Sequence, residues 1–293
     1  MLLPAFEFHQ PQSLDEALQL KKDLGAKARF LAGGTDLLVH LKKKLITADA
    51  LIGLQNIADL ARITQTGDTV VIGALATMSQ LSADPLIRDK FPAIKSGGDN
   101  LGTHLIRNRA TIGGNACNAS PAGDTLPSLM VYGAKAILQS ADGLRNLPIE
   151  EFFTGPGATA MADDELLTGF ELPLPPAHSG AHYIQLGKRK SSEINVVNAA
   201  SYLEYDPDTQ NVTRARIALG SVAPTPIYAA NAMEFMAWKT PDEATLYKAG
   251  EIARRQDCTP IDDFRGSADY RRAMVGVLTK RTLAAALTQA QQD

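Results

Sequence analysis

The chain has 293 residues, about two domains' worth. Hydrophobic residues make up 45% and charged residues 21%, and 29 Lys and Arg against 32 Asp and Glu leave a net charge of −3. This balance excludes disorder, a collagen-like fibre and a long coiled coil, and it lacks the clear basic excess that phosphate neutralisation in nucleic-acid binding usually needs.

Ser13, followed three residues on by Glu16, predicts a capped helix start. Residues 28–32 form a short apolar run ended by Gly33-Gly34, which predicts a buried strand. Leu37, Leu38, Leu41 and Leu45 then recur at helical spacing, and Lys42-Lys43-Lys44 reads as the solvated face of that helix. Residues 51–54 and 70–73 predict further short strands. After a stretch rich in glycine and small polar residues (105–124), Leu126, Leu129 and Met130 predict one or two helical turns, and 134–139 a strand. Pro173, Pro175 and Pro176 mark a domain boundary. Beyond it, 183–187, 196–205 and 212–220 read as strands, the last two joined by a polar turn. Residues 243–255 and 268–290 read as helices, the second with Tyr270, Met274, Val277 and Leu278 on one stripe. Three strands followed by helices predict a small α+β domain with helices on one face of an antiparallel sheet.

Two segments carry recognisable chemistry. In the first, Leu31-Ala32-Gly33-Gly34-Thr35-Asp36-Leu37, a strand runs through two glycines into a helix. Glycines admit close backbone approach, and a helix start offers unpaired N–H groups with the positive end of its dipole. That combination suits a pyrophosphate. The same residues also suit a plain strand-to-helix turn with Thr35 or Asp36 as N-cap. The second segment joins Thr111-Ile112-Gly113-Gly114-Asn115 to Ser120 and Asp124. It offers short hydroxyl and amide groups, and a carboxylate able to accept from vicinal hydroxyls of a sugar or ribityl chain. The alternative is an irregular surface loop with Asp124 capping the next helix. The second segment matches neither the G-x-G-x-x-G nor the P-loop pattern.

Together, Ala-Gly-Gly-Thr-Asp-Leu-Leu at 32–38 and Ile-Arg-Asn-Arg-Ala-Thr-Ile-Gly-Gly-Asn-Ala-Cys-Asn-Ala-Ser-Pro-Ala-Gly-Asp at 106–124 resemble the two flavin loops of the FAD-binding subunits of molybdenum hydroxylases. This is the xanthine dehydrogenase, carbon monoxide dehydrogenase and hydroxybenzoyl-CoA reductase family, and the resemblance covers nearly the whole chain. It implies an α+β fold. A two-lobed FAD domain of the PCMH or vanillyl-alcohol-oxidase type would occupy 1–176, with lobes of about 1–55 and 56–176. A smaller C-terminal domain of the CO dehydrogenase flavoprotein kind would occupy 177–293. The resemblance further implies that 31–37 and 111–115 hold the FAD pyrophosphate and adjoining groups, and that Asp124 contacts FAD hydroxyls. Leu101 and Leu167 would line the flavin. Lys188 stands either as a cationic flavin neighbour or as a solvated strand-end lysine. Cys117, within the second loop, is a reactive thiol or a small residue packed beneath the cofactor.

The family's function is electron transfer. Electrons would arrive from [2Fe-2S] clusters on a small partner subunit, after substrate oxidation at molybdopterin on a large one, and would leave to NAD, a quinone or another acceptor. A dimer of heterotrimers is implied. Two cysteines, Cys117 and Cys258, cannot hold a cluster alone, and the four-cysteine insertion of the hydroxybenzoyl-CoA reductase type is absent. Thr35-Asp36 stands where CO dehydrogenases tend to have His-Ser, which points towards organic substrates. Two alternatives stay open: a self-contained flavin oxidoreductase of the same fold, for which no group in the sequence stands out as substrate base or nucleophile, and a scaffold without FAD, against which the intact glycines and Asp124 argue. No stretch is long and apolar enough to span a bilayer, and residues 1–12 lack the pattern of a signal peptide, so a cytoplasmic setting is expected.

Overall fold

A computed structural model describes residues 2–189 and 191–292; Lys190, in the Gly-Lys-Arg-Lys run, lies outside them. The first lobe contains β1 (Glu7–His9), α1 (Leu14–Leu24), β2 (Ala28–Leu31), α2 (Leu37–Lys42) and β3 (Ala50–Gly53). Its strands are parallel, in the order β1-β3-β2. Central β3 is buried throughout, as a parallel strand covered on both faces should be. β2 lies at the edge, and only Ala28 is fully buried; the expected buried strand is therefore half-exposed where it approaches the glycines. Ser13 Oγ accepts the Glu16 N–H at 3.2 Å, and the Glu16 carboxylate reaches back to the N–H of Gln12 rather than that of Ser13.

The lysine run does not lie on a continuing helix. Lys44 takes φ of 59°, its N–H bonds Leu41 O, and the Leu45 N–H bonds His40 O. This closure ends α2 and places cations at the negative end of its dipole. Leu45, expected within the helix, is left 67% exposed beyond it.

The second lobe runs through β4 (Ile63–Thr66), β5 (Thr69–Gly73), α3 (Met78–Ala83), α4 (Pro85–Lys90), α5 (Pro92–Asn100), α6 (His104–Arg107), α7 (Ile112–Cys117), α8 (Leu126–Val131), β6 (Lys135–Ser140), β7 (Gly143–Pro148), α9 (Ile149–Phe152), β8 (Phe153–Gly155), β9 (Ala158–Thr159) and β10 (Leu166–Pro173). Its main sheet is antiparallel, ordered β4-β5-β10-β6-β7. Met78, Leu81, Phe91, Ile94, Leu129 and Phe170 are among the residues of its core.

The remainder contains β11 (Ser179–Leu186), β12 (Val197–Asp206), β13 (Asn211–Gly220), β14 (Ile227–Tyr228), α10 (Ala230–Met236), α11 (Glu243–Ile252) and α12 (Ala268–Ala290). The four strands form an antiparallel sheet in sequence order. Strand alternation sends Val197, Ala199, Leu203, Ile217 and Leu219 into a core with α12, while Tyr183, Ala200, Tyr202 and Ala218 turn the other way into the core of the second lobe. Helices of the C-terminal domain do lie on one face, and α5 and α8 of the preceding domain cover the other.

On α12 the expected stripe is displaced. Tyr270 and Val277 are partly exposed, while Arg271, Val275, Leu278, Leu283 and Ala286 are buried. Arg271 can face inward because its guanidinium donates to Val196 O and Ser221 O, both at 2.8 Å, and to the Asp263 carboxylate at 2.6 Å. Helix α11 stops at Ile252, short of the expected Arg255, and passes into a π-turn over Ala253–Asp257. Among the described residues, no helix is long and apolar enough to cross a membrane.

Candidate functional site

The parallel ladder of the first lobe ends where the Leu54 N–H bonds Leu31 O at 3.0 Å. The chain then leaves the sheet through Ala32, Gly33 and Gly34 and enters α2. Among the described residues, the backbone N–H groups of Gly33, Gly34, Thr35 and Asp36 find no protein acceptor. The cap expected from Thr35 or Asp36 is not formed: Asp36 holds the N-cap position, yet its exposed side chain bonds nothing there. Leu31, Ala32, Gly33, Gly34, Thr35 and Leu37 are all partly exposed. The result is a run of unpaired donors beside half-exposed apolar side chains, at the positive end of a helix.

The second segment is more ordered than a loop. Thr111 Oγ1 accepts the Gly114 N–H at 3.0 Å and so caps α7. The N–H of Ile112 bonds Ala76 O at 3.0 Å, and that of Gly113 bonds Ala74 O at 2.9 Å. The N–H groups of Ile112, Gly113, Gly114 and Asn115 are thus committed to the protein, in contrast to those of the first loop. What it presents outward is the open face of Gly114, where a Cβ would meet only Thr111 Oγ1. Asn115 turns inward, its Oδ1 accepting from the Thr125 hydroxyl at 2.8 Å.

The two segments, about eighty residues apart, meet directly. A Cβ built on Gly33 would lie 1.9 Å from the carbonyl oxygen of Arg109, two residues before Thr111. Gly33 is therefore required by the contact between the loops. Gly34 is required by its conformation, with φ of 76°.

Asp124 is not the cap of α8, a position held by Thr125. Its Oδ1 accepts from Asn195 Nδ2 at 3.0 Å. Burial of the carboxyl pushes its pKa up to about 7, against the pull of that hydrogen bond. Ser120 folds onto its own segment, its hydroxyl accepting the Ala122 N–H at 3.3 Å. Leu101, at the end of α5, packs against the second-lobe core, and Leu167 lies inside it. Lys188 is held by the C-terminal domain, donating to Phe264 O at 2.5 Å. The loop after it touches the turn beyond Leu101, through Ser191 Oγ to Gly102 O at 3.3 Å. Cys117 is exposed, with Sγ 3.7 Å from Met161 Sδ.

Asn195, Asn198, Tyr183 and Ser221 escaped the sequence reading, although all four surround the Asp124 segment. The available signal was a pair of amides, Asn195 and Asn198, flanking Val196-Val197 at the start of a mainly apolar run. Buried amides are rare without a partner to satisfy.

A glycine-linked donor row, the Arg109 backbone packed on it and a carboxyl group close in sequence to the second loop suit a nucleotide cofactor, and no group of His, Cys, Asp or Glu among the described residues could hold a metal ion. The comparisons agree. Residues 4–175 match the family described as "FAD binding domain in molybdopterin dehydrogenase", and 182–286 match "CO dehydrogenase flavoprotein C-terminal domain". The carbon monoxide dehydrogenase medium chain of Afipia carboxidovorans is 35% identical over 99% of this chain and 100% of its own length. The xanthine dehydrogenase FAD-binding subunit of Escherichia coli O157:H7 is 31% identical over 97% of this chain and 96% of its own length. The solved carbon monoxide dehydrogenase of Hydrogenophaga pseudoflava contains a chain that superposes with a TM-score of 0.94 at 31% identity, covering 99% of both chains. The chain belongs to the FAD-binding medium subunits of molybdopterin dehydrogenases of the CO dehydrogenase and xanthine dehydrogenase type.

Proposed function

We propose that this chain holds FAD between residues 31–37 and 111–115. The free N–H groups of Gly33, Gly34, Thr35 and Asp36 meet the pyrophosphate, and the open face of Gly114 lets the cofactor approach. The carrying observation is that row of unpaired donors, locked against the Arg109 backbone by Gly33. Asp124 accepts from FAD hydroxyls through the carboxylate oxygen that Asn195 does not hold. Ser120 and Asn115 shape the wall around it, and Leu101 and Leu167 back the flavin from the core side. Lys188 supplies a cation at its edge. The FAD domain spans 1–176, with lobes of about 1–55 and 56–176, and the C-terminal domain spans 177–293.

When bound, FAD supplies the redox chemistry, linking [2Fe-2S] clusters on a small partner subunit to NAD, a quinone or another acceptor. The residues of this chain bind the cofactor and orient it. Substrate oxidation takes place on the large molybdopterin subunit. The assembly is a pair of heterotrimers working in the cytoplasm; closed pairs are the commonest oligomers of soluble proteins.

The test is the visible spectrum of the protein purified from its native host, with a gel and metal analysis of what accompanies it. Flavin bands with two partner chains bearing iron and molybdenum are expected. A flavin-containing chain that is solitary and active alone would make it a self-contained oxidoreductase. A colourless chain that takes up no added FAD would overturn the cofactor assignment.

A further inference from the structure

The segment that carries Asp124 has no regular structure of its own, and the C-terminal domain holds it group by group. The Ser221 N–H donates to Pro121 O at 2.7 Å. Asn195 Nδ2 donates to Ala122 O at 3.0 Å, and Asn198 Nδ2 to Gly123 O at 3.1 Å. The same Asn195 amide then reaches Asp124 Oδ1 at 3.0 Å, the carboxylate's one side-chain partner among the described residues. Asn195 and Asn198 are themselves 1% and 0% exposed.

The clamp has a rigid base. The Asn195 carbonyl accepts from Ser221 Oγ at 3.0 Å and from Arg265 Nη1 at 3.4 Å. Arg271 donates to the carbonyls on either side, Val196 O and Ser221 O, and both arginines pair with Asp263. Such a network fixes the direction of a side chain far better than a single surface contact does.

We infer that Asn195 is a positioning residue of the FAD site: reaching across from the C-terminal domain, it turns the Asp124 carboxylate so that its free oxygen meets FAD hydroxyls, while Asn198 and Ser221 fix the backbone beneath. This rests on the proposal that Asp124 binds FAD. The C-terminal domain is then part of the cofactor site, although neither flavin loop lies within it. The titratable group facing Asp124 from that domain is Tyr183, whose hydroxyl accepts from Asn198 Nδ2 at 3.1 Å.

The test uses the full chain stripped of cofactor and titrated with FAD from mildly acid to mildly alkaline pH. The variants are Asp124→Ala, Asn195→Leu and the double variant. Asn195→Asp, which keeps the side chain's shape, replaces Asn195→Leu if the latter fails to fold. Asn195→Leu is expected to raise the FAD dissociation constant about tenfold to hundredfold, the weight of a hydrogen bond to a charged group. It should also move the acid-side loss of affinity to higher pH, because the carboxylate loses its donor. On the Asp124→Ala background the same substitution should change little. If Asp124→Ala binds FAD like the wild type, the proposal for Asp124 fails. If Asp124→Ala weakens binding and Asn195→Leu does not, the positioning role is overturned. It is equally overturned if Asn195→Leu costs the same factor with and without Asp124 and leaves the pH profile in place.

Discussion

Gly33→Ala probes the contact on which the two loops depend. A methyl at this position would lie 1.9 Å from Arg109 O and 2.7 Å from its carbonyl carbon, with Ala110 Cα at 3.2 Å. Ordinary contact requires more than 3 Å, so the loops must part by over an ångström. The obstructing atoms are backbone and cannot rotate aside as a side chain would. The neighbouring backbone is also committed, since Ala110 O accepts the Met78 N–H at 3.0 Å. Overpacking against fixed atoms costs about 3 kcal/mol. For a chain of this size that lowers the first thermal transition by about 5–10 °C. Parting the loops also separates the donor row from the Gly114 face, so FAD affinity falls by at least about tenfold. Urea unfolding and FAD titration of the same preparation measure both effects. A variant within about 0.5 kcal/mol of the wild type, with unchanged FAD affinity, would show that the loops do not need this contact.

Three further substitutions separate cofactor binding from folding. The Cβ of Gly114→Val meets only Thr111 Oγ1, at 2.8 Å, so stability is expected to fall by about 1–2 kcal/mol, the worth of the cap. FAD occupancy should nevertheless be lost, and retained flavin would remove this face from the site. Asp124→Asn tests the buried carboxyl in the apo chain. Its pKa is raised to about 7, so the folded state holds the proton more tightly than the unfolded chain, and stability is lost as pH rises from about 4 through 7. The asparagine variant should therefore be more stable than wild type at pH 8, by about 1–2 kcal/mol once partial solvent access is allowed for, and indistinguishable at pH 4. A difference independent of pH would refute the assignment. Arg271→Met removes a guanidinium that is 1% exposed, together with its bonds to Val196 O, Ser221 O and Asp263. It should cost about 3–5 kcal/mol in urea unfolding. Arg265 and Arg271 hold the Asp263 carboxyl well below the usual range, so part of that loss should vanish in strong acid, where the wild type forfeits the same pairing.

Local pattern carried much of the fold. The boundaries of α12 coincide with those read from the sequence, because Ser267 caps it and no proline interrupts it, the single Gly276 being tolerated inside the helix. The strands β12 and β13 and the turn between them follow equally directly from apolar runs around a polar link. Where an element departs from its sequence pattern, a tertiary contact or a local backbone turn overrides it. Arg271 displaced the hydrophobic stripe of α12 because distant carbonyls accept its donors. Leu45 left α2 because Lys44 adopted a left-handed conformation.

The same division runs through the site. Residue identity alone supplied the two glycine segments and Asp124, since close approach, short hydroxyls and a carboxylate are chemical properties that each residue carries by itself. Only the tertiary structure decided that Gly33 faces Arg109, that the first loop keeps its donors free while the second has committed them, and that Asn195 reaches Asp124 across 71 positions of sequence. Periodicity specifies which face of a strand is buried but not what lies opposite it. That depends on how sheets and helices stack, and the hydrogen bonds that hold the Asp124 segment exist only once the C-terminal sheet has closed over the preceding domain.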